Sequence, residues 1–237
     1  MHHVSPAEEV RAPSAPPPPR EHPLAWVGPF AVFMAWLAVD RLLPLANPTK
    51  EVVRDVVLVA AIVGFSRRVL PTRAPYWLAS IGVGLAVFAL WVLPDVLVPQ
   101  WRSHWLLQNA ITGRITTSIP PTELTPLMLV LRTTRAALLV PVIEELFWRG
   151  WLPRWLQDTR TERVPMGRYT PFAFWATAAL FAAEHGPFWE VGLVAGVVYN
   201  WWMRRTRSLG DLVLAHAVTN LVLSLYVVAS RDWRFWM

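Results

Sequence analysis

The chain has 237 residues, of which 54% are hydrophobic and only 16% charged. A soluble domain carries about 25% charged residues, so most of this surface does not face water, and the apolar excess lies in long runs that read as membrane helices. The absence of cysteine excludes disulfides, thiolate zinc sites and a cysteine nucleophile, and the net charge of +6 sits in arginines between apolar segments, where it sets topology rather than binding nucleic acid.

Residues 1–23 hold Pro13, Pro16, Pro17, Pro18 and Pro19 with few large apolar groups. They are expected to form a disordered tail, not a signal peptide. One transmembrane domain is expected over 24–237, beginning with apolar runs at 24–46, 52–65 and 76–98. Residues 100–123, with Trp101, Arg102 and Trp105, read as an interfacial segment. The stretch 124–157 exceeds the ~20 residues of one crossing, so it joins an interfacial approach to a crossing, bent by Pro141. Further spans are 171–185, 189–203 and 211–229. The predicted fold class is an all-α, polytopic transmembrane helical bundle of about seven spans, with six or eight as alternatives.

Arginines cluster in alternate connections: Arg67, Arg68 and Arg73, then Arg154, Arg160, Arg163 and Arg168, then Arg204, Arg205 and Arg207. Alternating crossings put these on one face, and the positive-inside rule makes that face, with the N-terminus, cytoplasmic. Among 15 tryptophans, Trp148, Trp151, Trp201 and Trp202 sit at span ends and read as anchors at the lipid–water boundary. Gly192 and Gly196 form a small-xxx-small pair that permits close helix packing and says nothing about chemistry. Asp40–Arg41, Arg54–Asp55 and Asp95 read as boundary charges, while Arg132 and Arg135 mark the interfacial part of the long helix.

Polar groups inside apolar helices are costly, and three groupings need a reason. In Glu144-Glu145-Leu146-Phe147-Trp148-Arg149, two adjacent carboxylates repel each other and lose hydration. Arg149 lies at i+4 from Glu145 and can pair with it, which leaves Glu144, on another azimuth, to take a proton from water. The bland alternative is a snorkelling helix end with a structural ion pair. His185, at the end of the next span, would alone read as a hydrogen-bonded structural residue, and its neighbour Glu184 points about 100° away around the helix. His216 and Asn220 lie one turn apart on one face, where they suit either a developing oxyanion or interhelical glue. Counted from the arginine-rich helix ends, Glu144 is ~21 Å deep, His185 ~22 Å and His216 only ~9 Å.

The order EExxxR, FxxxH, HxxxN over about 141–223, with Pro141 before the glutamates and Gly150 after Arg149, resembles the CPBP family. That family comprises type II CAAX prenyl endopeptidases and bacteriocin-processing or immunity proteins. Length and Trp-rich spans are similar to a bacterial subgroup, the exosortase-linked CAAX prenyl protease-related proteins. The resemblance implies a glutamate-dependent, metal-independent intramembrane endopeptidase without a cofactor, its catalytic core at about 124–229. It implies Glu144 as general base on water, helped by His185, with Glu145 and Arg149 supporting the geometry and His216 and Asn220 stabilising the oxyanion. Glu184 departs from the pattern and puts the role of His185 in doubt. The implied partners are a membrane-embedded or membrane-anchored peptide and the lipid bilayer, with no nucleic acid, at the bacterial inner membrane. Three other readings stay open. One is a zinc protease built from the glutamates and histidines, although no HExxH pair is present. The others are a non-catalytic scaffold or immunity factor, and a proton-coupled transporter, for which no paired hydropathy repeat is evident.

Overall fold

The computed structural model describes residues 22–115 and 124–236; residues 1–21 of the tail expected at 1–23 and part of the interfacial segment therefore lie outside the described residues. Regular structure among the described residues is helical, apart from an isolated bridge between Asn109 and Gly113. The main helices are α1 (Leu24–Val39), α2 (Asn47–Ala61), α3 (Trp77–Leu97), α4 (Pro126–Trp155), α5 (Pro171–Ala183), α6 (Trp189–Thr206) and α7 (Leu209–Ser230). Each expected apolar run forms a helix, although α2 begins at Asn47 rather than residue 52. Among the described residues, α3, α4 and α7 are both long and apolar enough to cross a membrane, while α1 and α5 are apolar but shorter. The remaining two carry charge: Lys50, Glu51, Arg54 and Asp55 on α2, and Glu190, Arg204 and Arg205 on α6. Leu78, Leu85, Leu93 and Val96 of α3 stand on the outer surface, a wide apolar face that suits lipid rather than water.

The long helix α4 is irregular where its sequence demands it. Pro141 has no N–H to offer the preceding turn, and the chain widens into a π-helical turn at Arg135–Leu139 immediately before it. A second wide turn, Leu146–Trp151, follows the two glutamates. Between them the six residues Val140–Glu145 hold α-helical geometry and carry both carboxylates.

Close contacts fix the neighbours. A Cβ on Gly84 of α3 would run into the Ala215 carbonyl oxygen and Val218 of α7, so this crossing requires glycine. Thr219 Oγ1 donates to the Gly84 carbonyl at 2.8 Å across the same contact. Gly196 brings α6 against α5, where a Cβ would meet Ala178 at 3.2 Å. Trp26, Leu146, Trp148, Phe181, Tyr199 and Leu212 belong to one continuous buried core.

Several surface expectations are corrected by this packing. Trp148 and Trp202 are core residues at 5% and 7% exposure, and Trp202 Nε1 donates to Ser80 Oγ; Trp201, 49% exposed, keeps a surface position. Asp40, Arg54, Asp55 and Asp95, read as boundary charges, prove to be held in ion pairs. Arg54 bonds Asp40 at 2.6 Å and Glu51 at 3.1 Å, and Arg135 of α4 bonds Glu51 and Asp55, tying α1, α2 and α4 together. Asp95 holds Arg102, which also bonds Glu190 and the Pro187 carbonyl. Pairing explains the burial, since an unpaired charge there would not be tolerated.

The start of α7 lies inside the bundle. Ser208 caps it by accepting from the Asp211 N–H, and buried Asp211 accepts from Tyr76 N–H at 2.8 Å and Ser80 Oγ at 2.9 Å. Counting depth from Gly210 therefore placed His216 too near the surface.

Candidate active site

Two carboxylates at adjacent positions of α4 have opposite surroundings. Glu145 is fully buried, and its Oε1 accepts from Arg149 Nη1 at 3.0 Å and from His216 Nδ1 at 2.7 Å. The pairing of Glu145 with Arg149 is the i+4 contact expected from the sequence. Arg149 is in turn fixed by a bond from its Nε to Asn200 Oδ1 at 3.0 Å, and Asn200 Nδ2 donates to the Phe174 carbonyl. The guanidinium also lies over the rings of Phe181 and Tyr199, 4.3 and 5.3 Å from their centroids. Asn200 was not anticipated. An amide in a Trp-rich helix carries no charge to signal it, and its partner is 51 residues away.

Glu144 faces a cavity of about 390 Å³. Its Oε2 accepts no hydrogen bond, and the nearest ion-pair partner is His216 Nε2 at 4.0 Å. His216 thus bridges the two glutamates, one ring nitrogen bonded to Glu145 and the other turned toward Glu144. The sequence reading had linked His216 only with Asn220. Both do line the cavity, and Asn220 Nδ2 donates to the Ala136 carbonyl at 2.9 Å.

His185 lines the same cavity, half-buried between Trp91 and Phe181. Its Nδ1 is 2.7 Å from the Phe181 carbonyl oxygen. A carbonyl only accepts, so Nδ1 carries the hydrogen and Nε2 is left as an acceptor. Gly192 has a part in this: a Cβ there would come within 3.2 Å of the imidazole. The small-xxx-small pair therefore does bear on the site. Glu184 also lines the cavity, although it lies about 100° from His185 on a helical wheel; α5 ends at Ala183, and Glu184 and His185 form the turn that leads into a short 3-10 helix at Gly186 (φ +51°).

The sequence-derived residues thus come together: Glu144, His185, His216 and Asn220 around the cavity, with Glu145 and Arg149 behind them. Among the described residues, no three His, Asp or Glu side chains form a group that could hold a metal ion. No curated protein matches the chain, and no solved structure matches it. Residues 126–222 match a family model described as type II CAAX prenyl endopeptidase Rce1-like.

Proposed function

We propose that this chain, a member over residues 126–222 of the type II CAAX prenyl endopeptidase Rce1-like family, is an intramembrane endopeptidase in which Glu144 deprotonates the attacking water. One observation carries the assignment. Glu145 is bound by both Arg149 and His216 behind the cavity, whereas Glu144 lines the cavity and its nearest ion-pair partner is His216 Nε2 at 4.0 Å. A carboxylate already committed to two donors is a poor proton acceptor, and an uncommitted one beside a cavity is a good one.

In this reading a water sits between Glu144 and the peptide carbonyl. Glu144 takes one proton, the water oxygen bonds to the carbonyl carbon, and the proton then passes to the departing amide nitrogen as the C–N bond breaks. His185 Nε2, an acceptor, orients the water. His216, held through Nδ1 by Glu145, and Asn220 on the same wall face the carbonyl oxygen where the oxyanion develops. One such preorganised donor is worth ~10²–10³ in rate. Glu145, Arg149 and Asn200 keep the frame rigid. The substrate is a membrane-embedded or membrane-anchored peptide, and the location is the bacterial inner membrane.

The test compares membrane peptidomes of cells producing the wild type and Glu144→Gln. New peptide termini should occur only with the wild type, and identical peptidomes would return the chain to a non-catalytic binding role. The proposal needs no metal, so cleavage should continue in excess chelator. Zinc near one per chain, lost together with activity, would contradict that part.

A further inference from the structure

We infer that the cavity admits its peptide from the face opposite the arginine-rich connections, as an extended apolar stretch of about four to five residues. The inference rests on the endopeptidase reading for the nature of the occupant, but its geometry stands on the cavity alone.

Helix direction gives the first argument. On α4 the cavity is lined from Arg132 to Glu144, whereas the arginine-rich connection follows Trp155 at the other end. On α7 the lining runs from His216 to Ser224, away from the start of the helix beside Arg204, Arg205 and Arg207. On α5, which leaves the arginine-rich face at Pro171, the lining residues are the last ones, Phe181 to His185. On α1 they are Phe33, Met34 and Leu37, in the half that ends at Val39. The lining residues of α1, α4 and α5 therefore lie in the half-bundle away from the arginines and those of α7 run from its middle outward, with α4 opposite in direction to the other three.

The floor gives the second. Below Glu144 the space is filled by Glu145, Trp148 and Arg149, each at most 5% exposed. On the arginine-rich side the pocket that touches Arg149 measures only about 30 Å³. A peptide cannot reach Glu144 through it.

Charge identifies the faces. Arg67, Arg68, Arg160 and Arg163 are exposed in their connections, and Arg205 is exposed in the last turn of α6. On the opposite face Arg54, Arg102 and Arg135 are buried and held by Asp40, Glu51, Asp55, Asp95 and Glu190, and exposed arginines are fewer there: Arg114, Arg231 and Arg234 among the described residues. By the positive-inside rule the face richer in exposed arginines is cytoplasmic, so the cavity opens outward. Arg132 and Arg135 mark its rim, ~14–18 Å along α4 from Glu144 at 1.5 Å per residue. An extended chain advances ~3.3–3.6 Å per residue, so about four to five residues span rim to base. Phe33, Met34 and Leu37 make one wall apolar, which suits apolar side chains along that stretch.

The chain has no cysteine, so single cysteines report cleanly. Full-length Arg132→Cys, Leu223→Cys and Arg163→Cys would be exposed to a membrane-impermeant maleimide in sealed right-side-out and inverted membrane vesicles. The rim and wall positions, Arg132→Cys and Leu223→Cys, should react only in right-side-out vesicles, and Arg163→Cys only in inverted ones. Reaction of either cavity cysteine from the same face as Arg163→Cys, or from neither face, would overturn the inference. The labelling requires no cleavage, so an inactive protein would still give this answer, and loss of the endopeptidase reading would be seen separately in the peptidomes.

Discussion

Glu145 Oε1 takes a hydrogen bond from Arg149 and another from His216, and Arg149 spends its Nε on Asn200. Lysine at position 149 would keep the charge but could not serve both partners, because an ammonium lacks the fork of a guanidinium. Arg149→Lys should therefore lower stability by ~1–3 kcal/mol through unpaired buried groups, and abolish most cleavage. Melting in detergent and turnover would both move; an unchanged variant would show that the fork is not needed. His216→Ala and Asn220→Ala should each slow turnover by ~10²–10³ with little change in substrate affinity, and the double variant should lose less than the product of the two. A rate loss that merely tracks a fall in melting temperature would make them structural. Legibility at this scale followed charge. Glu144, Glu145, Arg149 and His185 stood out because ionisable groups in apolar runs are expensive. Asn200 and Thr219 did not, since neutral polar groups with partners in distant helices leave no local trace.

At the scale of elements, glycines divide into those that set a crossing and one that sets a side chain. Gly84→Ala would press a methyl against the Ala215 backbone oxygen, which cannot yield, so α3 and α7 must separate. The expected cost is ~1–3 kcal/mol of stability, read as a lower melting temperature with activity falling in step. Gly192→Ala instead meets the His185 ring at 3.2 Å. Displacing an imidazole is easier than displacing backbone, so stability should hold while turnover drops, by up to ~10²-fold if the ring moves about 1 Å. Equal effects of the two substitutions on melting would refute the distinction. Helix positions were readable from apolar runs, and the interruption of α4 from Pro141. The two wide turns flanking Val140–Glu145 were not, because they depend on how carbonyls re-pair around the proline rather than on hydropathy. The ion pairs of α2 with α1 and α4 were hidden for another reason. Asp40, Glu51 and Arg135 are far apart in sequence, and each alone looks like a boundary charge.

For the whole molecule, composition alone dictated a helical membrane protein, and an apolar surface around three long apolar helices bears that out. The count of crossings was less legible, since α2 and α6 carry charges that a hydropathy run cannot assign to lipid or to an internal partner. The meeting of Glu144, His185 and His216 follows from α4, the end of α5 and α7 converging on one cavity, with the start of α7 drawn inside the bundle by Asp211. Everything chemical in this account converges on one oxygen of Glu144 and one water. A single turnover of a cleaved peptide in heavy-oxygen water, by purified wild type and Glu144→Gln of equal melting temperature, tests it most directly. The account predicts one heavy oxygen in the new carboxylate of the wild-type product, none in the Glu144 side chain, and no product from Glu144→Gln. Cleavage by Glu144→Gln near the wild-type rate, or heavy oxygen in the Glu144 carboxyl group, would contradict it.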